Sequence, residues 1–322
     1  MTIDTVYFHI TNACNLHCAY CYRDAGAHDE EEIPYAIAAE TLREIVVLNP
    51  ARLVLTGGEP LLRRDLLPLA HEFRAERGTT RLCLMTNGTL VKEECAASLV
   101  GSFDEIRVSI DSFREVNDVM RGPGSFDGAL HGLECIMRAG GDPIAYITIT
   151  RMNAAYTEEF MGFLLSRGIR QIHFSALKHA GRSNEQYAFS DYEKIKGIIE
   201  GFWQKRFGVR LQAQVEENFT CGVGKFVSIS PDGSVYPCHV LEFPEFYLGN
   251  VKEESLSSLY RNSFMMKRLR ALDMRRLPCY SEYLDSACGG AECMGVPARQ
   301  ERFRLKLKEL WGKPGNPGTH PG

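Results

Sequence analysis

No stretch of this chain approaches the ~18 consecutive apolar residues that a membrane-spanning helix needs. The opening residues, Met1-Thr2-Ile3-Asp4-Thr5, are neither a basic nor a long apolar segment, so no secretion signal is read there. Basic residues never run longer than Lys-Arg or Arg-Arg pairs, and the formal net charge is −4. A chain without a basic stripe has no electrostatic footprint for a nucleic-acid backbone. Internal repeats are missing too. These absences predict a cytoplasmic protein with neither membrane nor nucleic acid among its partners.

Cysteine is abundant: eleven residues among 322. In a reducing compartment they point to metal or catalytic use rather than to disulfides. They fall into two clusters, Cys14, Cys18 and Cys21 near the start, and Cys221, Cys238, Cys279, Cys288 and Cys293 near the end. Cys83, Cys95 and Cys135 lie inside apolar patterns and read as small core residues. With 44% hydrophobic and 24% charged residues, the chain can build one large or two modest domains.

Cys14-x3-Cys18-x2-Cys21 follows the apolar run Val6-Tyr7-Phe8-His9-Ile10. Three thiolates on one loop hold three corners of a cubane iron–sulfur cluster and leave one iron open to another ligand. The rival is a structural zinc knuckle, which wants four protein ligands. His9, His17 and His28 are nearby, but none has a usual finger spacing to the cysteines.

From residue 4 to about 205, β-branched runs alternate with helical stripes. The expected strands are Val6–Thr11, Arg52–Thr56, Arg81–Thr86, Glu105–Ile110, Ala145–Thr150 and Gln171–Ala176. Helical spacing is carried by Leu66, Leu69, Ala70 and Phe73, by Phe126, Ala129, Leu130, Leu133 and Met137, by Tyr156, Phe160, Phe163 and Leu164, and by Tyr192, Ile195, Ile199 and Phe202. Alternation of this kind predicts an α/β fold of parallel strands joined by crossover helices. Six units are too few for a closed eight-fold barrel, so a partial barrel is expected, with ligands at the C-terminal ends of its strands.

The segment Cys14-x3-Cys18-x-Tyr20-Cys21 resembles the signature of the radical S-adenosylmethionine (radical SAM) superfamily, whose partial (β/α)6 barrel agrees with the count of units. The resemblance implies that SAM binds the open iron and that an electron from the cluster cleaves it, giving a 5'-deoxyadenosyl radical that abstracts a substrate hydrogen. Further motifs follow in order. Gly57-Gly58-Glu59 after strand two resembles the loop that receives the SAM amino group. Thr86-Asn87-Gly88 ends strand three. Val108-Ser109-Ile110-Asp111 with Arg121-Gly122 resembles a fourth-strand segment, although Ser112 stands where the family usually has glycine. The implied SAM-binding residues are thus Tyr20, Gly57, Gly58, Glu59, Asn87, Ser109, Asp111 and Arg121. Arg121 reads equally as a surface helix residue. His173 reads as a satisfied core histidine rather than an adenine neighbour. Lys178, His179 and Arg182 face either substrate or solvent.

Near Phe207-Gly208-Val209 the alternation stops. Phe226–Ser230, a Pro231-Asp232-Gly233 turn and Val235-Tyr236 read as a hairpin, and Leu256, Leu259, Tyr260, Met266 and Leu269 as a helical stripe. Four of the five late cysteines could make an all-cysteine zinc site. Residues 221–293 nonetheless resemble the SPASM/twitch extension of radical SAM enzymes. Glu282 occupies the place of one family cysteine, one residue is inserted before Cys293, and no cysteine follows it. Five thiols fully ligate one cubane, so the resemblance implies a single auxiliary 4Fe–4S cluster on Cys221, Cys238, Cys293 and either Cys288 or Cys279. The leftover thiol is spare or a proton or hydrogen-atom donor.

The expected layout is a barrel over 1–206, a small α+β iron–sulfur domain over 207–311, and a Pro/Gly-rich disordered tail over 312–322. Expected cofactors are SAM and two 4Fe–4S clusters, and the expected electron donor is a flavodoxin or ferredoxin. With the first strand so near the start, no leader-binding domain is expected. That leans toward a small aminosugar- or nucleoside-type metabolite, dehydrogenated with the help of the auxiliary cluster. A ribosomal peptide gaining a thioether or carbon–carbon crosslink, redox-neutral epimerisation or decarboxylation, and a degenerate barrel using structural zinc are the alternatives.

Overall fold

The computed structural model describes residues 3–26, 31–178, 180–189, 191–207, 224–239 and 241–271. Six strands alternate with helices: β1 (Thr5–Thr11), α1 (Tyr35–Leu48), β2 (Arg52–Gly57), α2 (Leu66–Glu76), β3 (Arg81–Thr86), α3 (Glu93–Ser102), β4 (Glu105–Ser109), α4 (Arg114–Arg121), α5 (Ser125–Arg138), β5 (Ile144–Ile149), α6 (Thr157–Ser166), β6 (Gln171–Ala176) and α7 (Tyr192–Phe207). After them come β7 (Phe226–Ile229), β8 (Ser234–Tyr236), β9 (Gly249–Asn250), α8 (Leu256–Asn262) and α9 (Phe264–Ala271).

The first six strands are parallel and lie in sequence order, as expected of an open (β/α)6 barrel. Period-2 alternation sorts their side chains between two faces. Val6, Phe8, Ile10, Leu53, Leu55, Leu82, Leu84, Val108 and Ile147 are buried in one core with the apolar stripes of the crossover helices, such as Leu42 and Ile45 of α1 and Leu69 and Phe73 of α2. Burying each leucine of this kind contributes roughly 1.5–3 kcal/mol. The register brings Tyr7, Val54 and Cys83 level, then Met85 with Arg107, and Ser109, Tyr146 and His173. These residues fall on the opposite, concave face, which at its C-terminal end forms the cavity wall.

Two expectations change, and the late hairpin joins the sheet of the barrel. β7 pairs in parallel with β1, and β8 and β9 continue antiparallel, so one nine-stranded sheet runs β6-β5-β4-β3-β2-β1-β7-β8-β9. The single stripe over 256–269 is two helices. Ser263 takes an extended conformation between them, and its Oγ accepts the N–H of Met266 at the start of α9. His173 is exposed rather than a core residue, because β6 is the edge strand of the barrel. Cys83 and Cys135 are buried as expected, whereas Cys95 is half-buried. No helix of the described residues is long and apolar enough to cross a membrane.

Candidate functional site

The C-terminal ends of the strands surround a cleft of about 1100 Å³, part of it open to solvent. Cys14, Cys18 and Cys21 line it together with Tyr20, the backbone at Gly57 and Gly58, Asn87, Ser109 and Arg121. All three thiols are half-buried and free of disulfides. Among the described residues no three His, Cys, Asp or Glu side chains converge as they would around a single ion. Three thiols on one loop that all line one cleft are the donor set a cubane cluster takes, one thiolate to each of three irons. Burial pushes the Cys18 thiol up to about 11, with Cys21, Cys14 and Asp111 adding to it and the Arg121 guanidinium opposing it. Metal ligands must be deprotonated, so loading the loop releases protons.

Gly57 and Gly58 have a structural task as well as a place in the wall. A Cβ on Gly57 would lie 2.2 Å from the Thr11 carbonyl oxygen, and one on Gly58 would lie 2.3 Å from that of Ala13. Their missing side chains let the end of β2 press against the start of the cysteine loop, where Gly58 N–H donates to Thr11 O and Glu59 N–H to Ala13 O, both at 2.8 Å. Gly58→Ala is therefore expected to cut the iron that the loop retains after reconstitution by at least half. An iron assay on purified variant and wild type checks this; equal iron would show that the loop yields without cost.

Glu59 and Asp111 sit behind the cavity wall rather than in it. Glu59 is fully buried; its carboxylate accepts from Leu61 N–H at 3.0 Å, Thr86 Oγ1 at 2.7 Å and Asn87 N–H at 2.7 Å. Burial raises its pKa, and these bonds pull it down. Glu59 thereby holds the Thr86-Asn87 turn, and the Asn87 amide reaches Asn15 of the cysteine loop at 2.9 Å. Asp111 takes a two-pronged hold from Arg121, at 2.6 and 3.1 Å, with Thr148 N–H at 2.8 Å and the Tyr20 hydroxyl completing its shell. Arg121 is buried, not a surface helix residue, and lies over the Tyr20 ring at 5.5 Å.

Arg182 lines the cleft as well. Its guanidinium holds the cysteine loop there, donating to Cys18 O at 3.0 Å, to Ala25 O at 3.1 Å and to Asp24 at 2.7 Å. Lys178 does line the cleft, beside Tyr7, Tyr22, Tyr146, Thr148, Ser175 and His239; His179 lies outside the described residues. Thr148 and Ser175 belong to the strand ends that the resemblance places near the adenine, whereas Tyr7, Tyr22 and Tyr146 escaped the sequence reading as wall residues. Tyr7, Tyr146, Thr148 and Ser175 occupy alternate strand positions facing away from the apolar core, which is the signal that marks them.

Of the late cysteines only Cys238 is described; Cys221, Cys279, Cys288 and Cys293 lie outside. Cys238 is buried just past β8. The neighbouring His239 ring lies against that of Tyr7, tilted by 44° with centroids 4.2 Å apart, which places Cys238 one residue from the cleft wall. A second, more open cavity shares Tyr22 and His239 with the first. Between the cysteine loop and β7, Glu242 joins Arg23 to Ser228, at 2.6 Å, and Ser230, at 3.0 Å.

A partial parallel barrel with three thiols at its mouth defines a protein suited to carry an iron–sulfur cluster at the ends of its strands, and its relatives agree. Residues 8–164 match the model of the radical SAM superfamily, and residues 221–293 match that of the SPASM iron–sulfur cluster-binding domain. The chain is 33% identical to the Fe-coproporphyrin III synthase of Methanosarcina barkeri, with 95% of this chain and 84% of that protein covered. It is 27% identical to the mycofactocin maturase MftC of Mycolicibacterium smegmatis, over 89% and 77%. The structure of Streptococcus suis SuiB bound to S-adenosylmethionine superposes with a TM-score of 0.70 at 15% identity, over 93% and 76%. This chain belongs to the radical SAM superfamily and carries a SPASM domain in its C-terminal part. It is an enzyme, and its cofactors are S-adenosylmethionine and iron–sulfur clusters.

Proposed function

We propose that this enzyme generates a substrate radical on a carboxylate-bearing, largely planar natural product, with an iron tetrapyrrole as first candidate. The observation that carries it is the relationship, spanning most of both chains, to a synthase named for an iron coproporphyrin. The lining of the cleft supports it: Tyr7, Tyr22, Tyr146 and His239 are aromatic and Lys178 is cationic, a composition that suits a flat anionic molecule. None of the three relatives described above is named for the aminosugar- or nucleoside-type substrate expected from the sequence. A peptide is the second reading, favoured by the similarity to a maturase.

In this reading Cys14, Cys18 and Cys21 hold the cluster. Tyr20, the Gly57-Gly58 backbone, Asn87, Ser109 and Arg121 border the space for SAM, and Glu59 and Asp111 hold those groups from behind. When bound, cluster and SAM supply a 5'-deoxyadenosyl radical able to abstract a substrate hydrogen. The chain's own part is to orient the reacting atoms and keep water and stray donors away. Cys238, with Cys221, Cys293 and Cys288 or Cys279, would hold an auxiliary cluster near enough to the cleft to accept an electron, giving a net oxidation. A flavodoxin or ferredoxin would supply the electron that starts each turnover. The domain boundary falls near residue 207, although the hairpin beyond it shares the barrel sheet.

The test is anaerobic incubation of the reconstituted enzyme with SAM, a reductant, and separately an iron coproporphyrin, a precursor-type peptide and an aminosugar. Formation of 5'-deoxyadenosine is expected to rise at least tenfold with the porphyrin alone, with a matching change in its mass. A rise only with the peptide or only with the aminosugar would overturn the assignment.

A further inference from the structure

We propose that Arg182 is a positioning residue for the three-cysteine loop, fixing its backbone at Cys18 and Cys21 and so governing retention and reduction potential of the cluster held there. The inference rests on the reading that Cys14, Cys18 and Cys21 bind that cluster.

The segment after β6 crosses the loop as a clasp. Arg182 N–H donates to Cys21 O at 2.9 Å, and its Nε donates to Cys18 O at 3.0 Å. Two of the three proposed iron ligands thus have their carbonyls tied to one residue 164 positions away from Cys18. Nη1 reaches on to Ala25 O and the Asp24 carboxylate, pinning the turn that leaves the loop, where Asp24 itself has a φ of +55°. A planar guanidinium with several fixed donors suits this task; an ammonium is a point charge and cannot span the same acceptors. The clasp also needs Gly181. Its φ is +58°, and a Cβ there would lie 2.4 Å from Cys21 O and 2.7 Å from Tyr22 O. Arg182 is mostly buried, its side chain 16% exposed, so its charge acts on the cleft through little water.

Two effects follow, and they can be separated. Holding the carbonyls of Cys18 and Cys21 restrains the thiols that must stay on iron. A fixed positive charge beside the cluster favours the added electron, because local net charge is one of the determinants of cluster potential. Arg182→Gln removes both charge and fork. Arg182→Lys keeps the charge and loses the fork.

The experiment uses reconstituted wild type, R182Q and R182K. Iron loss to a chelator is timed under anaerobic conditions. The potential is taken from a redox titration followed by electron paramagnetic resonance, reading the signal that SAM perturbs, which separates this cluster from an auxiliary one. Expected results are iron loss at least fivefold faster in both variants, and a potential more negative in R182Q alone. At a fixed potential its reduced-to-oxidised ratio should fall about tenfold, or ~59 mV for one electron. R182K should titrate with wild type. Loss rates within twofold of wild type in R182K overturn the positioning role even if R182Q fails to fold. An equal shift of potential in both variants, or in neither, overturns the charge effect. A wild type that binds no SAM-responsive cluster would instead sink the reading of the cysteine loop.

Discussion

Replacing Cys14, Cys18 and Cys21 together by alanine is expected to bring SAM cleavage to background, a loss of more than ~1000-fold, while the barrel stays folded. The three thiols line the cleft and belong to a loop, not to the apolar core. Removing them leaves the packing of β1 to β6 untouched. Without thiolates no cluster forms there, and no electron reaches SAM. Iron per chain should fall from about eight atoms to about four, because each cubane holds four and the auxiliary cluster remains. Iron and sulfide assays, circular dichroism and 5'-deoxyadenosine formation check the three parts separately. Retained SAM cleavage would overturn the site. Wild type holding only about four irons, all lost in the variant, would overturn the auxiliary cluster.

Asp111→Asn is expected to be the most destabilising single isosteric change near the cleft, at about 3–5 kcal/mol. The Asp111 side chain is fully buried and that of Arg121 is 9% exposed. Neutralising Asp111 leaves a guanidinium that cannot shed its proton in a site with little water, which is why breaking one half of a buried pair costs far more than the pair is worth. Thermal midpoint should drop by roughly 10 °C. The Tyr20 hydroxyl donates to the same carboxylate, so the cysteine loop loses an anchor and its iron too. Adding Arg121→Met removes the stranded charge and should recover part of the loss. A single variant within about 1 kcal/mol of wild type would show that water or rearrangement satisfies Arg121, against this account. Denaturant or calorimetric unfolding of the apo proteins measures it.

Much of the fold could be read in advance. Strand bounds for β3 and β6 agree with the sequence reading, and the other barrel strands shift by no more than about a residue, because period-2 alternation, together with the Gly or Asn at the ends of β1, β2 and β3, is a local signal. Crossover helices α1 and α3 carried no stripe as clear as those of α2 or α5. Their apolar positions are broken up by small residues such as Ala38, Ala39 and Ala96, which are buried all the same. The tie between β7 and β1 was out of reach, since a parallel partner hundreds of residues away leaves no mark in either segment.

What the sequence by itself determined is the order of strands and helices and the three-cysteine loop after the first strand. These follow from spacing along the chain, which local sterics and burial translate directly into structure. Only the tertiary structure decided what the residues of the site touch. Glu59 and Asp111 prove to be buried supports holding Asn87, Tyr20 and Arg121. Gly57 and Gly58 give room to the cysteine loop's own backbone, and Arg182 clasps that loop. Hydrogen-bonding groups on separate strands have many possible partners in sequence. The fold of the open barrel selects among them, because a buried charge or amide is stabilised by the partners that the chain brings within about 3 Å.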